Sequence, residues 1–196
     1  MHYTVFDTPL VNTALRYASL AFLRLAGWRI EGALPASARK CVLIAAPHTS
    51  NWDLPYTLMT AFALRLNIYW MGKASIFSPP FGALMRWLGG IAVDREHSNN
   101  VVAASVAALK AAVGPTQLIV PPEGTRSKTR RWKTGFYYIA LGAELPILLA
   151  FMDYKQKRAG LGPVFQPTGD IERDMAAIKA YYAPLRGKNA QQFDAD

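Results

Sequence analysis

Residues 41–53 read CVLIAAPHTSNWD, and this stretch decides the fold. The first six residues are apolar and are typical of a fully buried strand. Apolar residues then recur at helical spacing from residue 54 to residue 66, which predicts a helix. His48 is therefore predicted to lie where a strand ends and a helix begins, which is the usual position of a ligand site in an open α/β sheet.

His48 and Asp53 form the first candidate site. On a straight helix the two side chains would point about 140° apart, so they can meet only if the chain turns between them. Residues 49–51, Thr-Ser-Asn, suit such a turn and the cap of the following helix. Asp53 would lie in the first helical turn, where its ionised form is favoured, and an ionised carboxylate makes a neighbouring imidazole a better general base. The same spacing also fits a capping aspartate and a surface histidine that never touch.

Composition limits the class of protein. The chain has 196 residues, 52% of them hydrophobic, which is enough for one domain with a substantial core. Its 22 Lys and Arg against 13 Asp and Glu give a formal net charge of +9, which favours phosphorylated small molecules, acidic lipid headgroups or nucleic acid as partners. The single cysteine, Cys41, lies in the predicted strand. A single cysteine offers no disulfide and no metal cluster. We also expect no metal site and no cofactor.

Strand and helix patterns alternate along the chain. This alternation predicts an α/β fold with a mostly parallel central sheet flanked by helices. We divide the chain into an N-terminal amphipathic helix region at residues 1–30, a single α/β domain at residues 31–186 and a polar tail at residues 187–196, which we expect to be loose. The last predicted strand is a weak one at residues 164–167.

The first predicted helix is amphipathic. Arg16 and Arg24 interrupt its apolar residues, so it is not expected to span a membrane, and the N-terminus lacks a secretory signal pattern. The helix either covers the domain's own core or lies in a membrane interface. The expected polar side holds Asn12, Arg16, Ser19 and Arg24, and the expected apolar side holds Leu15, Ala18, Phe22 and Leu25.

Polar residues follow four of the predicted strands, at His48, Lys73, Arg95 and Glu123. Because the strands are expected to be parallel, these residues should share one edge of the sheet. In the last of these loops, Gly124 permits a tight bend, and the backbone N–H groups of residues 124–127 would form an anion-binding concavity. An ordinary polar turn with solvated charges fits the same loop.

The side chains of that loop have different predicted tasks. Arg126 adds a forked donor suited to phosphate oxygens. Glu123 cannot bind a phosphate itself, and we expect it to orient an arginine or to hold the loop.

Together these stretches resemble the glycerolipid acyltransferase superfamily, of the lysophosphatidic acid acyltransferase type. The family's His-x4-Asp motif corresponds to His48 and Asp53, and its glycine-rich motif ending in arginine corresponds to GGIAVDR at residues 89–95. The Pro-Glu-Gly-Thr-Arg-Ser motif matches residues 122–127 at every position, and LPILL at residues 145–149 matches the fourth motif without its frequent second proline. The matches follow the family's order and span residues 47–150.

The resemblance implies transfer of a fatty acyl group from a thioester to a hydroxyl in phospholipid biosynthesis. The donor would be acyl-CoA or acyl carrier protein, and the acceptor a lysophospholipid, with 1-acylglycerol-3-phosphate expected first. His48 would be the general base and Asp53 would orient it. The expected substrate-binding residues are Lys73, Arg95, Glu123, Gly124, Thr125 and Arg126.

The resemblance also implies a location and an acyl site. We expect a monotopic enzyme, cytoplasmic and peripherally associated with the inner face of the cell membrane. There is no Gly-x-Ser-x-Gly elbow, so no covalent acyl-enzyme is predicted. Five aromatic residues are candidates for lining an acyl groove, although each also fits an ordinary core: Trp52, Tyr56, Phe77, Phe81 and Trp87.

The basic run at residues 126–133, beside Phe136, Tyr137 and Tyr138, leaves three readings open. It fits a solvated loop, a membrane-facing patch or a nucleic-acid-binding module, although no RNP strand, zinc spacing or helix-turn-helix pattern supports the last. Within acyl transfer, a lyso-aminolipid acceptor and a thioesterase that uses water in place of the alcohol also remain open.

Overall fold

The computed structural model describes residues 1–93, 98–129 and 131–193. Over these residues the chain forms one sheet with helices on both faces. The strands are β1 (Arg29–Glu31), β2 (Lys40–Ala46), β3 (Ile68–Lys73), β4 (Gly90–Val93), β5 (Thr116–Ile119), β6 (Ile147–Asp153) and β7 (Arg158–Phe165). The helices are α1 (Pro9–Leu25), α2 (Asp53–Leu64), α3 (Gly82–Trp87), α4 (Ser98–Ala111), α5 (Gly135–Ala143) and α6 (Ile171–Tyr182).

The strand order is β1-β7-β6-β2-β5-β3-β4. The five strands from β6 to β4 are parallel to one another, whereas β7 runs antiparallel to β6 and β1 runs parallel to β7. The predicted α/β class with a mostly parallel sheet is therefore confirmed. Because their directions agree, β2, β5, β3 and β4 all end at the same edge of the sheet.

Strand β7 differs from its prediction. Of the weak strand expected at residues 164–167, only residues 164 and 165 are in a strand; they are the end of β7, which begins at Arg158 and pairs with β6. Gly160, Gly162 and Pro163 interrupt the apolar pattern, so the first part of this strand is not evident from the sequence.

The core lies in two layers, one on each face of the sheet. Along β2, Val42 and Ile44 point into the layer covered by α4, α5 and α6, whereas Cys41 and Leu43 point into the layer beneath α2. All four side chains are buried, and burial of each aliphatic one is worth about 1.5–3 kcal/mol. The central strands therefore form a rigid support for the loops at their ends.

Helix α1 packs against α2, and its faces agree with the prediction only in part: Leu15 packs against the core as expected. Ser19, expected on the polar side, is buried, and the Nε atom of Arg16 donates to the carbonyl of Ala63. Phe22 and Leu25, expected on the apolar side, are 50% and 89% exposed. Among the helices of the described residues, none combines the length and apolar character that crossing a membrane requires.

Candidate active site

The loop after β2 is folded around the carboxylate of Asp53. Helix α2 begins at Asp53, and its N-cap residue makes no side-chain capping bond. Instead, Asp53 Oδ2 accepts hydrogen bonds from the backbone N–H groups of Thr49 (2.8 Å) and Ser50 (2.9 Å). The predicted turn is present. The Ser50 hydroxyl accepts a hydrogen bond from the backbone N–H of Trp52 over 3.2 Å, but the N-cap residue is Trp52, not one of residues 49–51 as predicted.

This turn brings His48 and Asp53 together. The distance from Nδ1 of His48 to Oδ2 of Asp53 is 3.1 Å. On the other side of the carboxylate, the hydroxyl of Tyr154 donates to Oδ1 over 2.9 Å. An ionised carboxylate only accepts, so the proton in the histidine contact is on Nδ1 and the lone pair of Nε2 is left for another partner.

The environment keeps the carboxylate ionised. Burial acts to raise the pKa of Asp53, which is 5% exposed, but the hydrogen bonds that it accepts outweigh burial and hold that pKa below its ordinary value. Burial also raises the pKa of Tyr154, so its hydroxyl remains a donor to the carboxylate. Tyr154, Asp53 and His48 are thus joined by a hydrogen-bond relay, which fixes the orientation of the imidazole.

Glu123 joins the loop after β5 to the loop after β2. Its Oε1 atom accepts a hydrogen bond from the backbone N–H of His48 over 2.9 Å. The side chain is buried, its Oε2 atom has no hydrogen-bond partner among the described residues, and burial raises the pKa of Glu123. Glu123 therefore supports the histidine loop and does not line the cavity, although we expected it among the substrate-binding residues.

Gly124 makes the bend that the sequence predicts, with a φ of +64°. A Cβ atom at this position would lie 2.8 Å from the Cδ atom of Lys133, which covers the turn. The predicted cradle of successive amides is incomplete. The N–H of Gly124 donates to Pro121 and that of Ser127 to the hydroxyl of Thr125. Within the described residues, the backbone N–H groups of Thr125 and Arg126 remain available to a ligand.

These loops open into one cavity of 1110 Å³. The apolar residues that line the cavity belong to both core layers. The cavity therefore reaches from one face of the sheet to the other, across its carboxyl edge. The wall beneath α2 includes Leu43, Ala45, Leu54, Ala61, Leu66, Ile68, Trp70, Ile119 and Leu161. The wall beneath α5 includes Val102, Val120, Trp132, Phe136, Ile139 and Phe151.

Cationic side chains surround the polar part of the cavity. Lys73 and Arg126, both predicted from the sequence, line it together with Arg131 and Lys133. All four are exposed, so they can reach an anion that enters. Arg95, the remaining predicted cation, lies outside the described residues. Among the other predicted site residues, His48, Asp53, Gly124 and Thr125 also line the cavity.

None of the five aromatic residues predicted for an acyl groove lines this cavity. Phe77 is buried in the layer beneath α2, and Tyr56 packs against Trp28 and Tyr154. Trp52 and Phe81 are more than half exposed. The aliphatic residues that line the cavity were not predicted. They come from strands and helices alike, for example Leu43 of β2, Ile68 at the start of β3 and Leu54 of α2.

The aromatic residues beside the basic run also belong to the core. Phe136 and Tyr137 are at most 1% exposed, and Trp132 packs against Tyr182 and Phe193. Tyr138 is the exception, at 49% exposed. Buried rings cannot stack on nucleic-acid bases, so the described residues of this run do not form the aromatic platform that such binding requires.

Two contacts of the site were not foreseen. Tyr154 follows β6 directly, so it lies at the same sheet edge as His48, but its contact with Asp53 depends on β6 being the neighbour of β2. Asn189, in the tail that we expected to be loose, bonds to Thr49. No pattern in the sequence indicates that contact.

Comparisons with known proteins point to one family. The acyltransferase family model matches residues 28–151. The crystal structure of the 1-acyl-sn-glycerophosphate (LPA) acyltransferase PlsC from Thermotoga maritima is similar to this chain, with a TM-score of 0.62 over 87% of this chain and 76% of that one. The identity is 18%, so the likeness shows a shared fold. A search of curated proteins found no match.

Proposed function

This chain belongs to the acyltransferase family, as its motifs predicted, and we propose that it transfers a fatty acyl group from an acyl thioester to the hydroxyl of a lysophospholipid. The thioester is on CoA or acyl carrier protein, and 1-acylglycerol-3-phosphate is the first acceptor to test. One observation carries the proposal: the His48–Asp53 pair opens into the same cavity as the basic loop at Arg126. The two groups suit opposite ends of one small phosphorylated alcohol.

His48 is the proposed general base. Its Nε2 atom accepts the proton of the acceptor hydroxyl while that oxygen bonds to the thioester carbonyl carbon. The tetrahedral intermediate then collapses, the C–S bond breaks, and the imidazolium returns its proton to the thiolate. The products are an ester and a free thiol. The ionised Asp53 stabilises the imidazolium between the two steps, and no covalent acyl-enzyme forms.

The basic rim is the proposed site of the acceptor phosphate. Arg126 offers a forked donor, and Lys73, Arg131 and Lys133 add positive charge around the same opening. The backbone N–H groups of Thr125 and Arg126, which donate no hydrogen bond within the part of the chain that the structure describes, suit a phosphate oxygen. An acceptor held by its phosphate presents its hydroxyl to His48, which lowers the barrier by orientation.

The apolar walls are the proposed acyl site. Aliphatic and aromatic side chains from both core layers surround the inner cavity, where burial of each CH₂ group of a fatty chain is worth about 0.8 kcal/mol. The volume of 1110 Å³ exceeds the space that small ligands commonly occupy, which is about 300–1,000 Å³.

We further propose that the protein lies on the inner face of the cell membrane. Leu10, Tyr17, Phe22 and Leu25 of α1 are each at least half exposed, and this apolar surface suits insertion into a bilayer interface. The net charge of +9 suits anionic headgroups. Vesicle sedimentation tests this location. Binding to phosphatidylglycerol vesicles should fall when Leu25 is changed to Asp, and equal binding by that variant would contradict it.

Thiol release measured across acceptors is the direct test of the reaction. The purified chain is incubated with palmitoyl-CoA or palmitoyl-acyl carrier protein and with 1-acylglycerol-3-phosphate, a lyso-aminolipid or no acceptor. We expect release that depends on the phosphorylated acceptor, together with the diacyl product by mass spectrometry. Release without an acceptor would indicate a thioesterase, and a preference for the lyso-aminolipid would change the assigned acceptor.

A matched pair of histidine variants tests the assigned base. H48A should abolish transfer while keeping the wild-type unfolding temperature. H2A is the control, because His2 is exposed and lies outside the cavity. Transfer by a folded H48A variant at near the wild-type rate would contradict the assignment.

A further inference from the structure

The C-terminal segment at residues 187–193 lies across both loops of the candidate site. The chain leaves α6 and is fixed where Tyr154 donates its backbone N–H to the carbonyl of Arg186 over 2.9 Å. From that point it runs over the loop after β2 and ends against Trp132, whose ring centre is 6.3 Å from that of Phe193. The segment therefore has a fixed contact at each end.

Most hydrogen bonds from the C-terminal segment to the site go to Thr49, the residue after His48. Asn189 donates its backbone N–H to Thr49 Oγ1 over 3.2 Å and its side-chain Nδ2 to the Thr49 carbonyl over 2.8 Å. Gln192, with its amide nitrogen toward the two carbonyls, donates to Thr49 over 2.9 Å and to Arg126 over 2.7 Å. One side chain thus bridges the loop of the base and the loop of the basic rim.

The packing beneath these bonds is close. A Cβ atom at Gly187 would lie 2.5 Å from Oγ1 and 2.7 Å from Cγ2 of Thr49, and 3.1 Å from Cβ of Pro47. Thr49 is 2% exposed, so a larger residue at position 187 would press against a buried side chain. Only glycine allows the segment to approach this closely.

We propose that residues 187–193 form a C-terminal brace that sets the separation of the His48 loop and the Arg126 loop. Asn189 and Gln192 are positioning residues that act through Thr49 and Arg126. The inference rests on the proposed function, in which one acceptor must reach both loops at once. It adds to that function a role for a segment that lies beyond the matched family region, which ends at residue 151.

The brace has a distinct kinetic consequence. If the two loops separate, the acceptor can still bind by its phosphate, but its hydroxyl no longer meets His48 in a reactive geometry. A misplacement of about 1 Å can cost about a hundredfold in rate. Loss of the brace should therefore lower kcat much more than it raises the acceptor KM.

Single variants test this expectation by steady-state kinetics in the full chain. N189A removes the side-chain bond, and N189D keeps the shape but turns an oxygen toward the Thr49 carbonyl. We expect both to lower kcat by about tenfold or more with the acceptor KM changed by less than about threefold. Q191A is the matched control, because Gln191 is an exposed neighbour that makes none of the bonds above, and it should keep wild-type kinetics. Wild-type kcat in N189A and N189D would overturn the brace.

Hydrogen exchange gives a readout that does not depend on activity. The amides of Thr49 and Ser50 bond to Asp53, and they should exchange faster in N189D and G187A than in Q191A, whereas amides of β2 should not change. Unchanged exchange at residues 49 and 50 would overturn the brace even if the enzyme were active. If the wild type acylates none of the acceptors, the proposed function is wrong and the exchange experiment alone decides the brace.

Discussion

Replacing Asp53 by Asn tests the relay at its centre. The two oxygens of Asp53 have different surroundings: Oδ2 faces the N–H groups of Thr49 and Ser50 and Nδ1 of His48, and Oδ1 faces the hydroxyl of Tyr154. An asparagine must keep its oxygen at the first position, because a nitrogen there would face three donors. Its nitrogen then meets Tyr154, whose hydroxyl can rotate to accept. The variant should therefore keep the loop and the histidine tautomer and lose only the negative charge.

The size of the effect follows from the distance. With 3.1 Å between Nδ1 of His48 and Oδ2 of Asp53, the two charges of the ion pair in the transition state lie within about 4 Å. At an effective dielectric constant of about 20, such a pair is worth about 4 kcal/mol. The histidine side chain is 21% exposed, which screens part of this energy. Since about 1.4 kcal/mol corresponds to tenfold in rate, we expect kcat to fall by about 10²–10³-fold.

The assay is acceptor-dependent thiol release with D53N, H48A and D170N. Asp170 caps α6 and does not line the cavity, so D170N makes the same chemical change elsewhere and should keep the wild-type rate. D53N should remain more active than H48A, because its imidazole keeps the correct tautomer. A loss in D53N below about fivefold, or less than ~1 kcal/mol, would show that Asp53 does not stabilise a charged histidine and would refute the reasoning.

Three further variants probe the surroundings of this pair. Y154F removes one donor to a carboxylate, worth about 1.5–3 kcal/mol, and should lower kcat by about tenfold while KM is unchanged; wild-type kcat would remove Tyr154 from the relay. R126A should raise the KM of the phosphorylated acceptor by about tenfold and leave that of a phosphate-free acceptor unchanged, and an equal rise for both acceptors would count against a phosphate contact. Burial raises the pKa of Glu123 in the folded state, so ionisation of this side chain destabilises the fold. This destabilisation is absent below about pH 4 and grows as the pH rises through the folded-state pKa. The unfolding temperature of E123Q relative to the wild type should therefore increase with pH above about 4, and a difference that stays constant or falls would contradict the buried-charge assignment.

The sequence predicted what depends on local pattern and on the geometry of parallel strands. His48, Lys73 and Glu123 were placed at one sheet edge because strands of the same direction end together. The turn at Gly124 followed from the residue type. These predictions needed no knowledge of strand order.

Contacts that depend on strand order or on the path of the tail were not predictable. Tyr154 is 101 residues from Asp53 in the chain, and they meet because β6 is the neighbour of β2. Asn189 is 140 residues from Thr49, in a segment whose polar composition predicted a loose tail. The sequence also left open whether the apolar side of α1 covers the core or is exposed, because a helical pattern shows which residues share a face but not which face meets the domain.

The loop that carries the histidine has one consequence for redesign. The bonds to Glu123 and from Thr49 and Ser50 to Asp53 all use main-chain N–H groups, so they hold the backbone around position 48 whichever side chain is there. The backbone of this loop should therefore keep its conformation when the side chain at position 48 is replaced. A cysteine at that position would sit in the same frame beside the cavity, and alanine would leave a space into which free imidazole can diffuse. Directed evolution could therefore vary the reacting group separately from the scaffold that presents it.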